Sequence, residues 1–338
     1  MGWMTQNMKN ARRRIQIITL GGTIAMRNHQ GGLSPALGGD ALLDFLKEID
    51  FPFQIDKVEF SNVASANITF SDLIRLAQHI TSLNRDDYVG VVVTQGTDTI
   101  EETAFALELL AQSTINIAVT GAMRSASHRS ADGPANIISA LRFLADSDGT
   151  GEVVVVLDDT VHSARYVRKT HTTKLSAFSS GEFGLRGRIH EERLKAYNKA
   201  PTPLEKLSVS GDISGANVLL LPICFDQEAP LLEHIVKIGP AGLVLESLGA
   251  GHVPQTLLPI LEKAARKIPV VLCSRTNQGP ICEHTYGYPG GEMDLLARGL
   301  ISGGWLPGIK ARMLLKLLLM NSPVDSKTRF SAYVRNFF

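Results

Sequence analysis

The sequence lacks what a metal-built, exported or nucleic-acid-bound protein needs. Its three cysteines, Cys224, Cys273 and Cys282, lie far apart, with no CxxC pair and no histidine at finger spacing. That supports neither a zinc site nor a disulfide framework, and the thiols read as groups of a reducing, cytoplasmic compartment. Charge of one sign is also missing: 34 Lys and Arg against 33 Asp and Glu leave a formal +1. Such a balance gives no electrostatic pull toward nucleic acid or an anionic membrane. Long apolar runs are absent too. Arg12-Arg13-Arg14 before Ile15 looks like the start of a secretion signal, but the apolar run ends after about six residues at Gly21-Gly22. Met313 to Met320 contains Lys316 and falls far short of the ~20 residues that cross a bilayer. The first glycine pair is followed by neither GxGxxG nor Gly-Lys-Ser/Thr, so a phosphate loop is a weak reading of it.

What is present is the composition of a soluble globular protein, 44% hydrophobic and 20% charged over 338 residues, enough for two domains. The chain is organised around Val91-Val92-Val93-Thr94-Gln95-Gly96-Thr97-Asp98-Thr99-Ile100-Glu101-Glu102. The β-branched run predicts a strand buried on both faces, and Gly96 allows a sharp turn. Thr99 and Glu102 have capping-box spacing, and apolar residues at helical intervals predict a helix over 100–110. Thr97 and Asp98 therefore fall where a strand ends and a helix begins, the usual ligand crevice of an open α/β sheet.

Similar corners recur along the chain. A strand over 15–19 runs into Gly21-Gly22-Thr23, and the Gly-rich stretch 28–39 after it reads as a mobile, lid-like loop. Helices are expected over 41–47 and 71–83. A strand over 55–60 leads to Ser65 and Asn67, and a strand over 115–119 to Gly121-Ala122-Met123-Arg124. Asp132 before Pro134 is placed to cap another helix. The strand over 153–157 is followed by Lys169, a candidate functional cation, although a lone lysine is usually a solvated surface residue. A stretch with two prolines and no periodicity, 194–210, reads as a linker. Strands over 218–223, 242–246 and 270–273 and helices over 230–238, 255–267, 293–298 and 310–319 then repeat the α/β pattern. The expected organisation is an extension over 1–14, a catalytic α/β domain over 15–193, the linker, and a second α/β domain over 211–338.

Four collinear motifs, Thr19-Leu20-Gly21-Gly22-Thr23-Ile24-Ala25, Thr94 to Thr103, Thr120-Gly121-Ala122-Met123-Arg124 and Ala131-Asp132-Gly133-Pro134, resemble those of the bacterial-type asparaginase/glutaminase family. The resemblance spans nearly the whole chain. It implies a two-domain asparaginase-like fold, with a larger, mostly parallel N-terminal sheet flanked by helices and a smaller C-terminal α/β domain. It implies an amidohydrolase needing no metal or cofactor. Thr23 matches the threonine that attacks the carboxamide carbon, and Thr97, Asp98 and Lys169 match the supporting cluster. An alcohol needs such help, because it is a poor nucleophile until a neighbour takes its proton or lowers its pKa. Backbone N–H groups at Gly96-Thr97 would stabilise the oxyanion. Ser65 matches the residue that holds the substrate α-carboxylate, and Asp98 would also face the α-amine. Glu292 resembles the acidic residue donated across a subunit interface, which implies a homodimer or homotetramer with a shared site.

Three departures bear on the substrate. No tyrosine lies between Ile24 and Ala41, Ala66 stands where well-studied asparaginases have glutamine, and Ala250 occupies what looks like an asparagine position. Each lost hydrogen bond to a charged group is worth about 1.5–3 kcal/mol. The expected reaction is hydrolysis of the side-chain amide of L-asparagine or a related small amide. The alternatives are an amide without a free α-amine, or a D-amino acid amide. An ammonia-donating subunit of a tRNA-dependent amidotransferase is disfavoured, because only about twenty residues precede Thr23 and the net charge is near zero.

Overall fold

A computed structural model describes residues 13–22, 24, 26–29, 32–35, 45–46, 51–209 and 216–337. Thr23, most of the predicted helix over 41–47 and much of 28–39 lie outside the described residues, as does the chain before Arg13. The chain forms two compact units, residues 1–206 and 207–338.

The strands of unit 1 are β1 (Arg14–Thr19), β2 (Met26–His29), β3 (Gly32–Pro35), β4 (Gln54–Glu59), β5 (Tyr88–Thr94), β6 (Asn116–Thr120), β7 (Val153–Leu157), β8 (Thr160–Ser163), β9 (Arg168–Lys169), β10 (Phe178–Ser179), β11 (Gly187–His190) and β12 (Arg193–Ala196). Its helices are α1 (Phe70–Thr81), α2 (Ile100–Leu110) and α3 (Gly133–Asp146). Among the described residues an eight-stranded sheet runs in the order β12-β11-β8-β7-β6-β5-β1-β4. From β4 to β7 the strands are parallel, and from β7 to β12 neighbours are antiparallel. The chain leaves β1, adds β4 on one side and returns to add β5 on the other, so the strand order reverses at β1/β5. A ligand crevice is expected at the carboxyl ends there.

Helices cover both faces, which explains the unbroken apolar runs. Val91, Val92 and Val93 are all fully buried, where a sheet with one wet face would alternate. Each such side chain contributes roughly 1.5–3 kcal/mol of transfer free energy. On one face Ile15, Ile17, Val92, Ala118 and Val154 pack with Ile137, Leu141 and Leu144 of α3.

Unit 2 has β13 (Val218–Pro222), β14 (Gly242–Ser247), β15 (Val270–Ser274) and β16 (Ile301–Ser302) in one parallel sheet in that order. Its helices are α4 (Ala229–Ile238), α5 (Leu258–Ala265), α6 (Glu292–Ala297), α7 (Gly308–Asn321) and α8 (Ser326–Arg335). No described helix is long and apolar enough to cross a membrane.

Several local expectations are corrected. The capping box at Thr99 and Glu102 does not form. The Thr99 hydroxyl instead donates to the Ser65 carbonyl and accepts from Gln95 Nε2, both at 3.2 Å. Asp132 makes no cap bond to α3. Its carboxylate accepts the N–H groups of Met123 (3.0 Å) and Arg124 (2.8 Å), tying the β6 corner to the helix start. The stretch 28–39 is not all loop, since β2 and β3 pair as an antiparallel ribbon. The first residues of the 194–210 stretch belong to β12.

Candidate active site

Four strand ends are stitched together by main-chain bonds. Leu20 N–H donates to Thr94 O (2.8 Å), Val63 N–H to Leu20 O (3.0 Å), and Gln95 N–H to Thr120 O (3.0 Å). The corners after β1, β4, β5 and β6 therefore form one rim around the β1/β5 switch point. Gly96 lets the β4 corner approach: a β-carbon there would stand 2.7 Å from Ser65 Oγ. Ser65 is buried, in a single 3-10 turn, Ser65–Asn67. Ala66 beside it is exposed.

After Gly96 the chain makes a 3-10 turn, Thr97–Thr99, that runs into α2. Among the described residues, the backbone N–H groups of Gly96 and Thr97 make no main-chain hydrogen bond. They lie where a helix start concentrates free donors and positive potential. Lys169 arrives from β9, 72 residues further along, and its Nζ donates to Thr97 Oγ1 at 2.9 Å and to Asp98 Oδ1 at 2.6 Å. The Thr97 residue is 6% exposed. The side chain of Lys169 is 13% exposed and that of Asp98 74%. A hydroxyl, an ammonium and a carboxylate thus stand in one hydrogen-bonded row, with the hydroxyl at the buried end. Such a row can relay a proton from the threonine through the lysine, which yields one of its own to the aspartate carboxylate as it accepts.

Of the residues singled out from the sequence, Ser65, Gly96, Thr97, Asp98 and Lys169 are brought to this one rim. Gly22, which precedes Thr23, packs against the Gly96 backbone. Glu292 belongs to unit 2, at the start of α6, and is 0% exposed. Its Oε1 accepts the N–H groups of Thr285 (2.8 Å) and Tyr286 (2.7 Å), and its Oε2 lies 3.4 Å from His252 Nε2. Burial pushes the Glu292 carboxyl up, but the Tyr286 and Thr285 N–H groups, with help from His252, outweigh it and hold the group below the usual carboxylate range. The His252 ring packs edge-on against Tyr286 and Tyr288. In this conformation Glu292 reaches a ligand only if that cover opens.

Sequence reasoning missed two groups in unit 1. Glu101 is 5% exposed, and its Oε1 accepts the N–H of Lys169 at 3.0 Å. The available signal was a carboxylate on the buried side of a helix whose other inward residues are apolar save Thr103. The second group lines a cavity of about 320 Å³ with Glu108, Glu152, Arg165 and Lys206. There the fully buried Arg165 pairs with Glu108 at 2.6 Å, and Arg186 with Glu152 at 2.8 Å. Burial lowers the Lys206 pKa against the pull of Glu108, and raises that of Glu152 against Arg186. The lining includes none of the rim residues. The pairs neutralise one another as a structural network, although Glu108 Oε2 has no hydrogen-bond partner among the described residues.

Residues 14–202 match the family described as Asparaginase, N-terminal, and residues 217–329 the Glutaminase/Asparaginase C-terminal domain. The chain belongs to the asparaginase family, and it is an asparaginase-like amidohydrolase, acting on an amide C–N bond. It is similar to the L-asparaginase of Bacillus licheniformis, 32% identical over 94% of this chain and 99% of that one. It is also similar to a probable L-asparaginase of Deinococcus radiodurans, 35% identical over 90% of this chain and 92% of that one. Among solved structures, a probable cytoplasmic L-asparaginase from Campylobacter jejuni superposes with a TM-score of 0.83 at 30% identity, covering 96% of this chain and 99% of the other.

Proposed function

We propose that the protein hydrolyses the side-chain amide of L-asparagine, or of a related small amide, to the acid and ammonia. Thr23 would be the nucleophile and an acyl-enzyme the intermediate. The observation that carries this reading is the Thr97–Lys169–Asp98 row, with 2.9 and 2.6 Å contacts, at the carboxyl-end crevice beside the glycine pair that precedes Thr23. In this scheme the row receives a proton during attack and returns it to the departing ammonia. The free N–H groups at Gly96 and Thr97 receive the oxyanion. Ser65 takes the α-carboxylate and Asp98 the α-amine; the 74% exposure of the Asp98 side chain leaves it open to a ligand. Water then releases the acid, and no step draws on a metal or cofactor.

The reading extends to a cytoplasmic homodimer or homotetramer, with Glu292 lent to the site of a second subunit. Its support is the motif around Glu292, the Campylobacter jejuni relative described as cytoplasmic, and cysteines too dispersed for a disulfide framework. A second reading, an amide lacking a free α-amine or a D-amino acid amide, is favoured by the bare methyl of Ala66 beside Ser65. Ammonia release from L-asparagine, L-glutamine, D-asparagine and N-acetyl-asparagine tests both. L-Asparagine is expected to have the highest kcat/KM. Preference for the N-acetyl or D compound would replace the first reading with the second, and silence on every amide would end both.

A further inference from the structure

The lysine of the row sits on a very weak element. β9 has two residues, and its ladder is the pairing of Lys169 with Phe178 and of Arg168 with Ser179, plus a bond from Thr170 N–H to Ala177 O at 2.7 Å. A lysine side chain is long and flexible, and the Asp98 carboxylate that meets its ammonium is mostly in solvent. Exposed pairs of this kind are screened and hold geometry poorly. Something else must fix where the ammonium points.

We propose that Glu101 is the positioning residue for Lys169; the inference rests on the reading that Lys169 serves Thr97. Glu101 lies in the first turn of α2, directly after the 3-10 turn that carries Thr97 and Asp98. Its Oε1 takes the Lys169 N–H at 3.0 Å, while Thr97 and Asp98 take Nζ. Lys169 is therefore gripped at its backbone and at its tip by one short stretch, residues 97, 98 and 101. Any tilt of β9 relative to α2 would pull the ammonium from Thr97. The carboxylate is costly where it stands, because its Oε2 is buried with no hydrogen-bond partner among the described residues. The free N–H groups of the first turn of α2 favour a negative charge there. What the arrangement secures is a charge-assisted bond to a two-residue strand, stronger than a neutral acceptor would make.

The test is a double-mutant cycle on purified, folded protein. Glu101→Met is expected to lower kcat by about 10- to 100-fold with KM little changed, since small displacements of a reacting group cost that much. Glu101→Gln, which keeps the acceptor, should stay within about threefold of wild type. Glu101→Asp keeps the charge but withdraws it by one methylene; it should behave like Glu101→Met and carries the test if the methionine variant does not fold. In a Lys169→Met background, Glu101→Met or Glu101→Asp should cost nothing further, because a positioning residue has no effect once its target is gone. Full additivity in the double variant, or wild-type kcat in both Glu101→Met and Glu101→Asp, would overturn the inference and leave the site reading intact. Wild-type turnover by Lys169→Met alone would overturn the site reading itself, and this inference with it.

Discussion

Gly22 stands so close to Gly96 that a β-carbon on Gly22 would fall 2.0 Å from the Gly96 nitrogen, and its φ is +89°. The two corners at the β1/β5 switch point are thus joined backbone to backbone, with no side chain between them. An alanine must both adopt a left-handed conformation and push main chain apart. We expect Gly22→Ala to destabilise unit 1 by more than about 3 kcal/mol and to abolish activity. Gly181→Ala is the control: its φ is +53° but nothing lies within 4 Å of the new atom. It should cost only the conformational term, about 1–2 kcal/mol. Urea denaturation of the two variants separates clash from strain, and equal midpoints would show that the corners have room to part.

The buried end of the row is a hydroxyl, and its chemistry depends on that oxygen. Thr97→Ala and Lys169→Met should each lower kcat by on the order of 10²-fold or more, whereas Thr97→Ser should retain activity within about tenfold. Thr23→Ala should be at least as damaging as Thr97→Ala if Thr23 is the nucleophile. Steady-state ammonia release measures all four, and near-normal turnover by Thr23→Ala would hand the attack to another group.

Much of the fold was legible because its signals are local. Val153–Leu157 and Ile100–Leu110 are read to the residue from an apolar run and a helical period. The strands β8, β11, β12 and β16 and the helix α8 were not, because they are short or strongly polar. Arg193–Ala196, the β12 edge strand, is mostly exposed, and its four residues are too few for an alternation to stand out. The site divides the same way. Thr97 and Asp98 announce themselves at a strand-to-helix corner, but Lys169 lies 72 residues from Thr97, and only the resemblance placed it there. Glu101 was overlooked because a glutamate in a first helical turn is ordinary, and only its burial against β9 shows what it holds. The failed caps at Thr99 and Asp132 have a common cause: at the rim, polar side chains tie one corner to another in preference to their own helix.

Ala66 tests how the recognition end is built. It is exposed in the turn that carries Ser65, where, on the proposed reading, an amide would stand beside the substrate α-amine. A buried ammonium must replace its water contacts or lose the solvation of a charge. One recovered hydrogen bond to that charge is worth about 1.5 kcal/mol or more. Ala66→Gln should therefore raise the ratio of kcat/KM for L-asparagine to that for N-acetyl-asparagine by about tenfold. A flat ratio in a folded, active variant would mean that position 66 does not face the α-amine.

The carboxyl of Glu292 gives a stability effect with a definite pH sign. Burial opposes its ionisation, but the N–H groups of Tyr286 and Thr285 and the nearby His252 leave its folded pKa below the usual carboxylate range. Near pH 4 the unfolded chain, with an ordinary carboxyl pKa of about 4.3, then binds more protons than the folded one. Stability from this group is present in full above that pH and is lost as pH falls through the depressed folded value. Glu292→Gln removes the charge that makes the difference. Its melting temperature should lie below that of wild type at pH 7, and the gap should narrow steadily below about pH 4. Thermal melts of both proteins between pH 7 and pH 3.5 measure it. A gap that does not narrow would mean that the charge of Glu292 contributes nothing to the fold of unit 2.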